Sequence, residues 1–327
     1  MSSPIDPQVD PYGYLGMIRN PDGSLTRIPE FLPTSIPPSY NPDPNHVQVL
    51  TKDIPINKEK PNWVRLYLPK TASNSIPTQK LPLIIYYHGG GFILGRVTSP
   101  LSHNFCLQTA NRIPAVIVSV EYRLAPEHRL PAAYDDGMEA LQWMRTINDE
   151  WLTKYADFSK CFLMGSSAGG NIVYQVGLRA VACVDDLLPL KIQGLIFHQP
   201  FFGGTQRTLS EVRFSNDKVF PPVVADVMWE LGLPIGVDRD HEYCNPMTGI
   251  KLEVLMNVKD QGWRLLVTGC CGDPLVDRQI EFMRMLKEKG LDVIGEFSDG
   301  GFHGCELFDD SKAEIFYGVV KNFVLSV

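Results

Sequence analysis

The sequence predicts an α/β fold, a central and mostly parallel sheet covered by helices, and three observations carry that prediction. Largely apolar runs recur at Leu83 to Tyr87, Ala115 to Val120, Cys161 to Met164, Ile192 to Phe197, Leu265 to Val267 and Val293 to Phe297. Strands that are apolar nearly throughout are buried on both faces, as in a parallel sheet between helical layers. Between the runs lie helical stretches around Asn104 to Asn111, Ala132 to Met144, Ala168 to Ala182, Arg278 to Lys289 and Ser311 to Val324. Such alternation of strand and helix is the α/β pattern. Finally, 44% of the 327 residues are apolar and 20% charged, enough material for one large core.

The elements follow in order. Of the 26 prolines, 12 fall within residues 1 to 61, where they interrupt helical periodicity and favour extended or turn backbone. This N-terminal arm nevertheless carries Tyr12, Tyr14, Leu15, Met17, Ile18, Phe31 and Leu32, apolar surface that predicts docking over the main body. Val47 to Thr51 and Trp63 to Leu68 read as antiparallel opening strands, the second with period-two alternation. The parallel strands and helices come next. Residues 203 to 240, with Phe214, Val223, Val224, Val227, Met228, Trp229 and Leu231, do not continue the alternation and read as an insert.

Charge and thiols narrow the class. Lys plus Arg number 30 against 37 Asp plus Glu, a net charge of −7, which argues against a basic footprint for nucleic acid or anionic lipid. The seven cysteines are odd in number and show no C-x-x-C pair, as expected of free thiols in a reducing compartment. Met1 to Asp10 lack the basic flank and apolar core of a secretory signal. No apolar run approaches the ~18 residues of a membrane span. The reading is a cytoplasmic protein with a small-molecule partner, no nucleic acid and no membrane.

The chemistry concentrates in Gly165-Ser166-Ser167-Ala168-Gly169, a G-x-S-x-G placed where an apolar strand ends and a helix begins. A sharp turn there lifts the serine hydroxyl clear of the sheet, and the flanking glycines avoid Cβ collisions. Ser166 does not fit the nucleophile register, which would need glycine at Met164. The competing reading is a Gly/Ser helix cap. Upstream, His88-Gly89-Gly90-Gly91-Phe92 follows a buried strand. Backbone N–H groups of Gly89, Gly90 and Ala168 are the expected oxyanion hole, with His88 bracing the loop. A phosphate loop is the alternative, but neither G-K-[ST] nor G-x-G-x-x-G is present. A carboxylate and a histidine should follow the serine in that order. Asp273 and His303 both lie just past the carboxyl ends of predicted strands, on the same sheet edge as Ser167. Asp277 competes with Asp273, but its place about one turn further on fits a charge at a helix N-terminus. His46, His103, His128, His198 and His241 read as surface or packing residues. No His/Cys/carboxylate cluster has metal-ligand spacing, so neither metal nor organic cofactor is expected.

His88 to Phe92, the stretches Glu121 to His128 and Leu130 to Asp136, and Gly165 to Asn171 resemble the hormone-sensitive-lipase-like α/β-hydrolases. Trp151-Leu152, Tyr155 to Phe158 and Asp240 to Pro246 resemble the plant carboxylesterase branch in particular. The resemblance runs from about residue 47 to the C-terminus. It implies a single α/β-hydrolase domain over 1–327, with a cap built from residues 1–46 and 203–240. It also implies hydrolysis of short-chain acyl esters by Ser167, His303 and Asp273. The sequence departs from the family at Ser166, where an acidic residue is usual. Relatives on this scaffold also carry out dehydration or acetate elimination with a histidine base, a role open to His303. Dehydratases that this sequence resembles can carry Thr at the nucleophile position. Gibberellin receptors share the scaffold but lack the histidine, which is retained here. For the substrate pocket, Phe92, Ile93, Phe202, Trp229 and Leu231 are the candidate apolar lining residues.

Overall fold

The computed structural model describes residues 9–31, 33–39, 48–57, 62–73, 79–249 and 252–326. Leu32, His46 and Val47, used in the sequence reading, lie outside the described residues. A small antiparallel pair comes first, β1 (Met17–Arg19) and β2 (Leu25–Arg27). The main sheet is built from β3 (Val49–Pro55), β4 (Trp63–Pro69), β5 (Leu81–Tyr87), β6 (Val116–Val120), β7 (Ala156–Ser166), β8 (Ile192–His198), β9 (Arg264–Cys270) and β10 (Val293–Ser298). Its order is β10-β9-β8-β7-β5-β6-β4-β3. β3 and β4 pair antiparallel, as does β4 with β6, and every other pairing is parallel.

The helices in chain order are α1 (Pro11–Tyr14), α2 (Lys70–Ser73), α3 (Pro100–Arg112), α4 (Ala132–Met144), α5 (Glu150–Tyr155), α6 (Ala168–Ala180), α7 (Leu209–Arg213), α8 (Pro222–Gly232), α9 (Leu252–Asp260), α10 (Val276–Glu288) and α11 (Asp310–Leu325). Because successive strand side chains point to opposite faces, the apolar strands feed two cores. Leu83, Ile85 and Tyr87 pack with α4, α6 and α10 residues such as Leu141, Ile172 and Phe282. Ile84 and Tyr86 pack on the other face with Phe105 and Ala110 of α3 and Phe316 and Val320 of α11.

This topology positions the site. From β5 the chain runs through α3 to β6 on one side and then returns past β5 to β7 on the other. A crevice opens at the carboxyl ends of strands where the winding reverses in this way. Tyr87 at the end of β5 is in register with Gly165 of β7, so the segments that follow the two strands emerge side by side.

β7 begins earlier than its apolar run, at Ala156. Asp157 accepts hydrogen bonds from the Ser159 amide (2.9 Å) and hydroxyl (2.6 Å), and the register with β5 shifts there. The polar residues of that bulge hide the strand's start from a hydropathy reading. β3 likewise runs through Lys52 and Asp53, and Asp53 receives a two-point ion pair from the fully buried Arg65 at 2.6 and 2.8 Å. The described part of the N-terminal arm, residues 9–31 and 33–39, packs onto the body. Leu15 and Met17 are buried, α1 lies against α8, and the Tyr14 hydroxyl donates to the Val219 carbonyl. Arg27 of β2 donates to the Ile93 and Ala125 carbonyls and pairs with Glu127.

Candidate active site

Ser167 sits between the last residue of β7 and the first of α6, at φ 53° and ψ −117°. A non-glycine residue at positive φ is strained and is held there only by its surroundings. The Ser167 amide donates to the His198 carbonyl, and its own carbonyl accepts from Phe201 and Gly170, each at 2.9 Å. The glycines on either side are sterically required. A Cβ on Gly165 would stand 2.1 Å from the Gly169 carbonyl oxygen, and one on Gly169 would stand 1.9 Å from that of Tyr87.

The loops after β9 and β10 bring two further groups to this turn. His303 Nε2 lies 2.9 Å from Ser167 Oγ, and His303 Nδ1 lies 2.8 Å from Asp273 Oδ2. Asp273 is fully buried, and its carboxylate also accepts from the Leu275 amide and from Gln279 Nε2, each at 2.8 Å. Burial disfavours the His303 imidazolium, but the charge of Asp273 and the hydrogen bond to it, with Glu306 and Asp217 beyond, outweigh burial and raise its pKa above the ordinary histidine value. Phe220 stacks on the imidazole at 4.6 Å between ring centroids. A serine hydroxyl bonded to an imidazole that is itself oriented by a buried carboxylate can pass its proton to that imidazole. Asp277 is engaged elsewhere, its Oδ2 accepting the Ser210 amide at 2.7 Å in the first turn of α10.

The glycine loop after β5 closes the other side. A Cβ on Gly89 would stand 3.1 Å from the Ser166 carbonyl and 3.3 Å from Ser167 Cβ, so a side chain there would crowd the serine. Gly90 has φ 114°, and a Cβ there would overlap the Leu94 carbonyl at 2.0 Å. Ala168 opens α6, where backbone N–H groups have no intrahelical acceptor. His88 braces the loop. Its Nδ1 contacts the Gly89 carbonyl at 2.7 Å, its ring stacks on Tyr122, and the Tyr122 hydroxyl donates to its carbonyl. Burial lowers its pKa, which favours the neutral ring. Ser166 accepts a hydrogen bond from the Tyr86 hydroxyl at 3.1 Å.

A cavity of about 330 Å³ opens over Ser167 and His303. Its walls include Leu94, Leu101, Phe105, Leu307 and Phe308 from the body and Tyr14, Val219, Phe220 and Met228 from the N-terminal arm and the insert, with Tyr86 and Ser166 also lining it. The five residues expected to line it do not. Phe92, Ile93, Phe202, Trp229 and Leu231 are all buried in the core. The turn through Gly90 and Gly91 puts Phe92 at φ 64° with its ring among Trp229, Phe201 and Tyr134. Phe202 packs on Phe282 and Tyr174 beneath the sheet edge. α8 is apolar around most of its circumference, so composition does not say which side meets the cavity; packing turns Trp229 inward and leaves Met228 on the wall. Two positioning residues carried no sequence signal. Gln279 lies one helical turn after the loop of Asp273. Gln199, at φ 44°, accepts the Gly304 amide at 2.6 Å and so fixes the loop that carries His303.

Residues 84–307 match the family model of the α/β hydrolase fold. The chain is 50% identical to carboxylesterase 20 of Arabidopsis thaliana over the full length of both. It is 44% identical to a 3-O-acetylpapaveroxine carboxylesterase of Papaver somniferum, covering 96% of this chain and 99% of that one. Among solved structures it resembles a hyperthermophilic esterase from Pyrobaculum calidifontis, with a TM-score of 0.67, 27% identity, and coverage of 84% of this chain and 85% of that one.

Proposed function

The chain belongs to the α/β-hydrolase family and is a carboxylic ester hydrolase of the plant carboxylesterase type, and from that premise we propose that it cleaves short-chain, acetate-type esters of small hydrophobic plant metabolites through Ser167, His303 and Asp273. The observation that carries the proposal is the 2.9 Å contact between Ser167 Oγ and His303 Nε2. His303 takes the Ser167 proton as the oxygen attacks the ester carbonyl, and Asp273 stabilises the imidazolium that results. The carbonyl oxygen becomes an oxyanion facing the N–H groups of Gly89, Gly90 and Ala168. His303 returns the proton to the departing alcohol, water enters, and the same steps release the acid.

The apolar walls of the cavity support a neutral, hydrophobic substrate, and the poppy relative's name supports acetyl as the acyl group. A single α/β-hydrolase domain over 1–327 with cap elements at about 1–46 and 203–240 is part of the proposal; of their described residues, Tyr14 from the first and Phe220 and Met228 from the second line the cavity, which supports it. No described helix is long and apolar enough to cross a membrane; the net acidic charge and unpaired thiols support a cytoplasmic location.

The test is hydrolysis of an aryl acetate together with labelling by an organophosphate. The wild-type protein should turn over the ester and gain one phosphyl adduct at Ser167, and Ser167→Ala should do neither. If Ser167→Ala abolished aryl acetate hydrolysis yet spared turnover of a natural substrate, elimination with His303 as base would replace hydrolysis. Ligand binding with no turnover of any ester would favour the receptor reading.

A further inference from the structure

The wall of the cavity holds a charged group to which the proposed hydrolysis assigns no role beyond a small contribution to the His303 pKa. Glu306 lies three residues beyond His303 in the short turn Cys305–Leu307, lines the cavity, and has a side chain only 4% exposed. Its Oε1 stands 2.9 Å from His198 Nε2, and His198 Nδ1 is held 2.8 Å from the Thr268 hydroxyl. Rings of Phe316 and Phe105 flank His198, so the pair is dry on that side. Among the described residues, Glu306 Oε2 is buried and has no hydrogen-bond partner. Burial raises the pKa of such a group, but the charge and hydrogen bond of His198, with a backbone hydrogen bond and His303 beyond, outweigh burial and lower it below the ordinary glutamate value, which favours the ionised carboxylate. A buried acceptor left without a donor is costly and calls for an explanation; the place of Glu306 on the cavity wall offers one in a donor carried by the substrate.

We infer that the Glu306 carboxylate recognises a hydrogen-bond donor on the substrate, a hydroxyl or a protonated amine, carried by the part that enters the end of the cavity between α3 and the Cys305–Leu307 turn. Leu101, Phe105 and Phe308 give that end an apolar frame, and a single anionic acceptor in such a frame fixes orientation as well as affinity. A substrate without the donor leaves the acceptor unpaired, the situation in which a site rejects an analogue most strongly. The inference rests on the ester hydrolysis proposed above and names the class of ester.

Near-isosteric esters test it. 3-Methylbutyl acetate is compared with 3-hydroxybutyl acetate, where a hydroxyl replaces a methyl, and with 2-(dimethylamino)ethyl acetate, where a protonated nitrogen replaces a C–H. Ethyl 4-methylpentanoate and ethyl 3-(dimethylamino)propanoate repeat the comparison on the acyl side. At least one donor-bearing ester should exceed its hydrocarbon isostere in kcat/KM by about tenfold or more. In Glu306→Gln the amide oxygen turns to His198 and the –NH₂ group faces the cavity, so the preference should vanish or reverse. Glu306→Asp keeps the charge but withdraws it by one methylene, and should reduce the preference; it also decides the matter if the Gln variant does not fold. Equal kcat/KM across the wild-type series, or a preference unchanged in both variants, overturns the inference. Calorimetric binding of the same esters to Ser167→Ala separates the two readings. If the wild type hydrolyses none of them the esterase reading fails, while tighter binding of the donor-bearing ester still tests Glu306.

Discussion

Replacing Asp273 with Asn probes the site most directly, because the donors around that carboxylate are accounted for. Oδ1 faces the Leu275 amide, and Oδ2 faces both His303 Nδ1 and Gln279 Nε2, all at 2.8 Å. With Asp273 fully buried, the new –NH₂ group must meet one of these sets. At the Oδ2 position it opposes two donors and forces His303 and Gln279 to turn or change tautomer; at Oδ1 it opposes a single amide. The second arrangement costs less and leaves one buried backbone donor unpaired, about 1–3 kcal/mol of stability, or a fall in Tm of roughly 1–4 °C in a protein of this size. The catalytic cost is larger. Asn carries no charge to offset the imidazolium formed when His303 takes the serine proton, a loss on the order of 10⁴ in kcat. Hydrolysis needs neutral His303, and Asp273 raises its pKa, so wild-type activity should be lost as pH falls through a value above the ordinary histidine range. In Asp273→Asn burial dominates, the His303 pKa falls, and the acid limb of kcat/KM should move to lower pH. Aryl acetate kinetics across the histidine titration range measure both effects. A kcat within about tenfold of wild type together with an unmoved acid limb would refute the role assigned to Asp273.

Gly169→Ala should place a Cβ 1.9 Å from the Tyr87 carbonyl and 2.8 Å from that of His88, backbone that can yield only by moving α6 away from the oxyanion loop. We expect kcat to fall by about 10²-fold or more and Tm to drop; wild-type kinetics would show slack in the turn. Gln279→Leu removes one of the donors to Asp273 and should lower kcat about three- to tenfold with KM unchanged; a rise in KM alone would argue against a positioning role. Tyr14→Phe deletes the hydroxyl that ties the arm to the Val219 carbonyl. It should raise KM for a bulky ester about fivefold, and an unchanged KM would show that the arm does not shape the cavity.

The strand-to-helix placement of Gly165 to Gly169, the glycines after β5, and the order serine, aspartate, histidine were all legible without coordinates. Each is a local backbone requirement: a positive φ, a carbonyl 1.9–2.1 Å from where a Cβ would be, or a loop at the carboxyl end of a strand. Such requirements restrict residue type at the position itself and leave a mark in the sequence. Chain position alone favours Asp273 over Asp277 without deciding between them, and the packed loops put one carboxylate on His303 and the other on Ser210. The cavity wall is not legible in the sequence for the same reason. Phe92, Trp229 and Leu231 are as apolar as Phe220 and Met228, and only the packing of α8 and the arm against the sheet edge sorts them into core and wall. Gln279, Gln199 and the His198–Glu306 pair left no motif, since a buried polar side chain is defined by partners distant in the chain. Sequence by itself therefore determined the fold class and pointed to the groups proposed to react, because backbone geometry is encoded residue by residue; tertiary structure alone decided which side chains surround them, because burial and hydrogen-bond partnership are properties of assembled elements.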